Sequence, residues 1–222
     1  MVLRLVTQKL CWSLTWRGRL LLAALLLAAG YAGVHTSYAF LAQNAPLRSS
    51  IIVVEGHVPD YVLDSTLVVF NRQSGRLLFT TGIPISHGGY LSSFRSYADL
   101  SRFSLLALGM DSARVVSAPA RPQHRDRTYM SALALKAKLH QHGITSGPID
   151  LITCGSHARR SRIMYQKALG PAFQVGSYSF ADQDFDPRQW WRSSYGMRAV
   201  VYEGLAYLYA TLFFHPDQSY EG

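Results

Sequence analysis

The chain has 222 residues, with 22 Lys and Arg against 13 Asp and Glu, which gives a formal net charge of +9. Five of the basic residues and none of the acidic residues precede Ser49, so this excess belongs partly to the N-terminal region and is weak evidence for a nucleic-acid partner, which we do not predict. Two cysteines, Cys11 and Cys154, exclude a disulfide framework. The chain beyond its apolar N-terminal portion has about 175 residues, which suits one domain with a sizeable core.

The first predicted element is a transmembrane helix over Leu20–Ala42, a run without formal charge. As a helix it would span roughly 34 Å, enough to cross a hydrocarbon core of about 30 Å. The basic tail over residues 1–19 places the N-terminus in the cytoplasm, and the domain then lies on the periplasmic or extracytoplasmic side of the inner (plasma) membrane. A cleaved signal peptide, with Ser37-Tyr38-Ala39 as its cleavage site, is the alternative. Residues 43–50 form a polar linker to a domain over residues 51–216.

Strand-like and helix-like segments alternate beyond this linker, which predicts an α/β domain with a mostly parallel sheet of about five strands. The last helix is apolar nearly all round, yet shorter than a comfortable membrane span, so we expect it to be buried. The predicted strands are Ile51–Val54, Leu77–Thr80, Arg114–Ala118, Ile149–Cys154 and Gln174–Phe180. The predicted helices are Asp60–Asn71, Tyr90–Leu108, Asp126–His142, Ala158–Leu169 and Gly196–Phe214.

Four loops between these elements carry much of the polar and glycine content of the domain. In a parallel sheet, ligands bind beyond the carboxyl ends of the strands, against helix N-termini that favour anions. We therefore expect a pocket for a phosphate-like or carboxylate group at this edge. The loops are residues 55–60, 81–90, 121–128 and 155–157.

Two ionisable residues are the candidates for catalysis. His157 follows Gly155 and precedes a basic helix, so it could exchange a proton or donate to an anion. Glu55 follows a buried strand and could act as a base, hold a ribose-like hydroxyl or a cation, or orient His157. The alternatives are a structural histidine and a structural ion pair. Ser156 has no G-x-S-x-G context, so we assign it to ligand binding and not to nucleophilic attack.

Further residues are candidates for binding the ligand. Backbone N–H groups at Thr81 and Gly82 could cradle an anion, and an arginine could hold a phosphate by two hydrogen bonds. Simple turns, an N-cap at Asp126 and solvated arginines are the alternatives. The complete set of ligand-binding candidates is Thr81, Gly82, Arg125, Asp126, Thr128, Ser156 and Arg160.

We predict no metal site, because the histidines lack the spacing of a metal motif, and no cofactor is assigned. Four loop histidines could nevertheless converge in the fold. The tryptophans Trp190 and Trp191 are expected to pack in the core, with a lid or a bilayer contact as alternatives. The four histidines are His57, His87, His124 and His157.

Four segments resemble the SanA/ElyC/YdcF family of bacterial envelope proteins, and the likeness extends over most of Ile51–Pro216. They are VVEG at Val53–Gly56, TTG at Thr80–Gly82, RDRTYMSALAL at Arg125–Leu135 and GSHARRSR at Gly155–Arg162. The resemblance implies a Rossmann-like three-layer α/β/α domain, usually carried on one membrane helix, with a role in peptidoglycan or lipid-carrier metabolism. It places a polar pocket on Glu55, Thr81, Gly82, Arg125, Asp126, Thr128, His157 and Arg160.

We therefore expect a membrane-anchored envelope protein that binds an anionic or lipid-linked intermediate. If it is an enzyme, we expect hydrolysis or group transfer at a phosphoryl or acyl centre, with Arg125 and Arg160 holding the anion, His157 moving a proton, and Glu55 as base or orienting partner. The main alternative is a non-catalytic module that senses a nucleotide-like metabolite or serves as a scaffold. The sequence identifies no protein partner.

Overall fold

The structure is a computed structural model that describes residues 13–86, 93–122 and 125–216. It contains two compact units, Met1–Thr36 and Ser37–Gly222. Helix α1, Trp16–Leu41, is long and apolar enough to cross a membrane, and no second helix in these ranges meets that criterion. The helix begins one turn before the predicted span. Most of the predicted tail, including Cys11, lies outside the described residues.

The second unit is an α/β domain with five parallel strands, as the alternating pattern predicts. The strands lie in the order β3-β2-β1-β4-β5, so β1 and β4 are neighbours at the centre of the sheet. Each observed strand agrees with its prediction to within two residues at either end. The strands are β1 Ile51–Glu55, β2 Leu77–Gly82, β3 Val115–Pro119, β4 Gly147–Cys154 and β5 Phe173–Phe180.

Helices cover both faces of the sheet and make a three-layer domain. Ile51 and Val53 pack on one face, while Ile52 and Val54 pack on the other, because successive strand side chains point in opposite directions. Both faces of the central strand are therefore buried, as is usual for parallel sheets. The helices are α2 Asp60–Arg72, α3 Tyr97–Ala107, α4 Arg127–Gln141, α5 Ala158–Leu169 and α6 Ser194–Leu212, with 3-10 turns at Gly155–His157 and Pro187–Arg192.

Three helix starts differ from the predictions, that of α6 because the helix begins at Ser194, two residues before Gly196. Helix α3 begins at Tyr97 and not at Tyr90, because Ser96 caps it by accepting a hydrogen bond from the backbone N–H of Asp99 at 3.1 Å. Residues 87–92 lie outside the described part of the chain. Asp126 occupies the N-cap position of α4 in a left-handed conformation, with φ of 53°, but its side chain makes no capping hydrogen bond.

The segment over residues 43–50 is fastened to the domain. The buried carboxylate of Asp150 accepts hydrogen bonds from the backbone N–H groups of Leu47 and Ser49, each at 2.7 Å. Ala45 pairs with Ser177 at the edge of the sheet. The predicted linker is therefore part of the compact unit, which begins at Ser37 and not at Ile51.

Helix α6 differs most from its prediction. Only one stripe of it is buried, while the opposite face exposes large apolar side chains, including Leu205 and Leu212, each about three-fifths exposed at 64% and 60%. The expectation of a fully buried helix is wrong, because α6 lies on the outside of the domain. Trp190 is buried beside Val200, so the expected core packing of that tryptophan is observed.

Candidate functional site

The order of the strands places a crevice between β1 and β4. From β1 the chain continues outward to β2 and β3, and from β4 it continues outward in the other direction to β5. Ligands of open parallel sheets bind at such a point, beyond the carboxyl ends of the strands. Glu55 is the last residue of β1, and the turn Gly155–His157 follows β4 directly. The two predicted catalytic residues therefore lie on opposite sides of this crevice.

A cleft of about 930 Å³ opens there, lined by the polar loops and by α6. Most of the predicted site residues line it, although they are far apart in the sequence. Arg125 is not among the lining residues, whereas Arg127 is. The predicted residues that line the cleft are Glu55, Thr81, Gly82, Asp126, Thr128, Ser156, His157 and Arg160.

His157 lies between two carboxylates. Its Nδ1 is 2.8 Å from Oε1 of Glu203, and its Nε2 is 3.6 Å from Oε1 of Glu55. A guanidinium nitrogen of Arg160 is 2.9 Å from the same Nδ1. Arg160 can only donate, so a hydrogen bond from it would need an unprotonated Nδ1. An unprotonated Nδ1 would, however, repel the nearer Glu203 carboxylate, which can only accept. We therefore assign the proton to Nδ1, which donates its hydrogen bond to Glu203.

Arg160 holds Glu203 in place. Its Nε donates to Oε2 of Glu203 at 2.7 Å, and its Nη2 donates to Oε1 at 3.1 Å, which is a bidentate pairing. Its Nη1 donates to the hydroxyl of Thr128 at 3.1 Å. Arg160 and Thr128, predicted to bind an anion, therefore support the carboxylate that orients His157.

Glu55 is almost completely buried, with 2% of its surface exposed. The hydroxyl of Ser161 is 2.9 Å from Oε1 and 3.1 Å from Oε2 of Glu55, and it donates a hydrogen bond to this carboxylate. A buried carboxylate without such partners would be strongly destabilising. Arg160 and Ser161 lie three and four residues after His157, which is one helical turn. A single turn of chain at the start of α5 therefore supplies partners for both carboxylates.

These contacts set the charges of the site. Burial alone would raise the pKa of Glu55, but the positive charge of His157 lowers it to about 2. Burial opposes the ionisation of Glu203 in the same way, and His157 with Arg160 lowers its pKa to about 2. Burial would lower the pKa of His157, whereas the two carboxylates raise it to about 9. The surroundings therefore stabilise a positive charge on the His157 ring.

A second histidine lies against His157. The two rings of His57 and His157 meet edge to face, with centroids 4.9 Å apart. His57 is exposed at the mouth of the cleft, yet packing of its ring desolvates it and lowers its pKa below the ordinary value of histidine. Three side chains are candidates to hold a metal ion, because one ligand atom of each lies within 4.8 Å of the other two. They are Glu55, His57 and His157. His87 and His124 lie outside the described residues.

Three predicted ligand-binding residues make contacts with other parts of the protein. The Thr81 hydroxyl is 2.6 Å from the Tyr165 hydroxyl and is fully buried. A Cβ at Gly82 would lie 2.8 Å from the Tyr97 Cβ, so this glycine lets α3 approach the sheet. Ser156 donates a long hydrogen bond of 3.4 Å to a backbone carbonyl of α6. These residues shape the wall of the cleft.

Two partners of the catalytic candidates were not found from the sequence. Glu203 is the one acidic residue in the sequence of α6, and a single acid within an apolar helix needs a buried partner or a solvent-exposed position. This pattern indicates a buried partner for Glu203. Ser161 carried no distinguishing signal other than its position one turn after His157.

Comparison of the chain with family models, with curated proteins and with solved structures gives no match. The chemistry of the cleft is therefore the basis for a functional assignment. The cleft offers an oriented imidazole, a buried carboxylate and the starts of two helices, which are groups suited to binding an anion and to proton transfer.

Proposed function

We propose that this chain is a single-pass inner-membrane protein whose extracytoplasmic domain binds a phosphorylated or otherwise anionic intermediate of the cell envelope and hydrolyses it or transfers a group from it. Peptidoglycan or lipid-carrier metabolism is the proposed setting. The four segments that resemble the SanA/ElyC/YdcF family support this setting. The apolar helix α1 supports the membrane attachment.

The observation that carries the proposal is the fixed position of His157 at the topological switch point. Glu203 holds Nδ1 at 2.8 Å, and Nε2 is directed toward Glu55 at the end of β1. A group that is oriented before the ligand arrives loses little entropy during the reaction. In the proposed reaction His157 supplies a proton or positive charge at the phosphoryl or acyl centre, and Glu55 accepts a proton.

The helix starts at the cleft support an anionic ligand. The first turn of α4 opens onto it through Arg127 and Thr128, and the first turn of α5 opens onto it through Arg160, directly after the 3-10 turn that carries Ser156 and His157. Helix N-termini carry unsatisfied N–H groups and a partial positive charge. Arg127 is exposed at this edge and adds a full positive charge.

The exposed face of α6 supports a lipid-linked ligand. Glu203 and Tyr209 of this helix line the cleft, while Leu205 and Leu212 are exposed on its outer side. An apolar surface of this kind is unusual on a soluble domain and is typical of a contact with lipid or with another apolar surface. A ligand with an isoprenoid or acyl tail would place its anionic head in the cleft and its tail along α6.

The proposal is tested by turnover with the full-length protein in detergent micelles. The substrates are an isoprenyl phosphate, an isoprenyl diphosphate and a soluble phosphate ester, and the measured quantity is released phosphate or transferred group. We expect turnover that His157→Gln reduces by at least about 100-fold, the usual scale of a general acid or base. His140→Gln changes an exposed histidine of α4 and is the matched control. Equal turnover by both variants would contradict the role of His157.

A non-catalytic binding module is the second candidate function. The observation that favours it is the pairing of Glu203 with Arg160 and of Glu55 with His157, because structural ion-pair networks also produce shifted pKa values. This candidate predicts thermal stabilisation by a ligand without turnover. A ligand at 100 times its dissociation constant would raise the free energy of unfolding by about 2.7 kcal/mol.

A further inference from the structure

We propose that Glu55, His57 and His157 bind one divalent transition-metal ion, of which Zn²⁺ is the first candidate. The spacing of the histidines in the sequence gave no metal motif, but the fold brings two of them together with a buried carboxylate at the switch point. The binding of the ion is independent of the proposed function, whereas its part in a reaction rests on that function.

The first argument is the gap between His157 and Glu55. Because Nδ1 of His157 donates to Glu203, its Nε2 is the ring atom that faces the Glu55 carboxylate, and a positive charge at this Nε2 would offset the negative charge of Glu55. That charge is either a proton or a metal ion. The separation of 3.6 Å is too long for a hydrogen bond, and this Nε2 is buried without a hydrogen-bond partner among the described residues.

The second argument is the size of this gap. Zinc–nitrogen and zinc–oxygen bonds are roughly 2.0–2.2 Å long, so two ligand atoms of a tetrahedral zinc site are separated by about 3.4 Å. The pair formed by His157 and Glu55 already has nearly this separation. His57 lies with them inside a span of 4.8 Å, so a small shift of its side chain would complete a set of three ligands.

The third argument is the support around the ligands. Metal-bound histidines usually donate their other ring N–H to a carboxylate, which fixes the ring and strengthens the ligand. Glu203 occupies this position on His157, and Ser161 holds the Glu55 carboxylate. A divalent ion, the two carboxylates of Glu55 and Glu203 and the guanidinium of Arg160 together carry a net charge of about +1. This net positive charge would attract an anionic ligand.

Two histidines and one glutamate are a ligand set of catalytic zinc sites, in which the fourth position remains open for water or substrate. Here Glu55, His57 and His157 all line the cleft, so a ligand in the cleft could reach that position. An ion at this place would bind and polarise a phosphoryl or acyl oxygen. His157 would then act as a ligand, and the ion would supply the positive charge that the protonated ring supplies without it.

Metal binding is tested on the full-length protein in detergent, purified without a histidine tag and treated with a chelator. Co²⁺ is titrated while the visible absorption is followed, and bound Zn²⁺ is counted by elemental analysis after dialysis. We expect one ion per chain. His57→Asn should weaken Co²⁺ binding by at least about 100-fold, more than the roughly 10- to 100-fold loss typical of an outer-shell change.

His140→Asn is the control, since His140 is exposed on α4, and it should leave the titration unchanged. His57 is exposed as well, so His57→Asn should keep its fold, which circular dichroism verifies. Failure of the chelated protein to bind one ion per chain would overturn the proposal, as would equal binding by His57→Asn and the unchanged protein. If the chelated protein still turns over a phosphorylated substrate at full rate, the reaction does not use the ion. An ion bound without turnover of any substrate would contradict the proposed function alone.

Discussion

Glu203 Oε1 lies 2.8 Å from His157 Nδ1, although 46 residues separate the two in the chain. This contact makes α6 part of the candidate site and not only a cover for the domain. It also explains why an apolar helix carries an acidic residue on its buried stripe. Arg160 completes the arrangement, because it neutralises Glu203 and fixes its two oxygens.

Replacement of Glu203 should therefore affect both stability and function. In Glu203→Gln the side chain keeps its size but loses its charge, so Arg160 and His157 lose their anionic partner. We expect the free energy of unfolding to fall by about 2–3 kcal/mol, the scale of a hydrogen bond to a charged group. Turnover or ligand affinity should fall by roughly 10- to 100-fold, as for an outer-shell partner of a reactive histidine.

Chemical denaturation and ligand titration measure the two effects of Glu203→Gln. Asp64→Asn is the matched control, since Asp64 is exposed on α2 and away from the cleft. A Glu203→Gln protein as stable and as active as the control would show that His157 does not depend on this carboxylate.

The hydroxyl of Ser161 has a more local role. In Ser161→Ala the buried Glu55 carboxylate loses a donor that approaches both of its oxygens. We expect a loss of about 1.5–3 kcal/mol in the free energy of unfolding, because the remaining group is charged and buried. Ser65→Ala removes a hydroxyl that donates to the Tyr61 carbonyl within its own helix and should change stability by less than about 0.5 kcal/mol. Equal losses in the two variants would argue against the Ser161 contact.

Asp150 fastens residues 43–50 to the domain. In Asp150→Ala the backbone N–H groups of Leu47 and Ser49 lose their acceptor, so we expect a loss of about 2–4 kcal/mol and faster hydrogen exchange at both amides. Asp150→Asn keeps one oxygen acceptor and should have an intermediate effect. Hydrogen exchange followed by mass spectrometry provides the measurement. Unchanged exchange at Leu47 and Ser49 in Asp150→Ala would mean that the segment is held by other contacts.

The sheet and part of the site could be predicted from local patterns. Runs such as Ile51–Val54 and Ile149–Cys154 are short, apolar and β-branched, and the carboxyl ends of parallel strands meet at one edge, which brings Glu55 and His157 together. The role of Arg160 could not be predicted, because a guanidinium beside a cleft can bind an anionic ligand or a carboxylate of the protein itself equally well. Its partner Glu203 depends on how α6 docks, and that contact leaves no periodic signal in the sequence.

The exposed face of α6 gives the sharpest test of a lipid-linked ligand. In Leu205→Gln with Leu212→Gln two exposed apolar side chains become polar, so the free energy of unfolding should change by less than about 1 kcal/mol. Turnover or binding of a long-chain isoprenyl phosphate should fall severalfold, whereas a soluble phosphate ester should be unaffected, because only the long chain contacts this face. Kinetics with both substrates measure the difference.

Val68→Gln is the matched control for this pair, since Val68 is exposed on α2 but does not line the cleft. It should alter neither substrate. If the α6 variant lost turnover of the long-chain and the soluble substrate equally, the apolar face would stabilise the cleft and would not contact the ligand. Loss for the long-chain substrate alone would locate the tail of the ligand on the helix that also orients His157, and so connect the choice of substrate to the chemistry of the site.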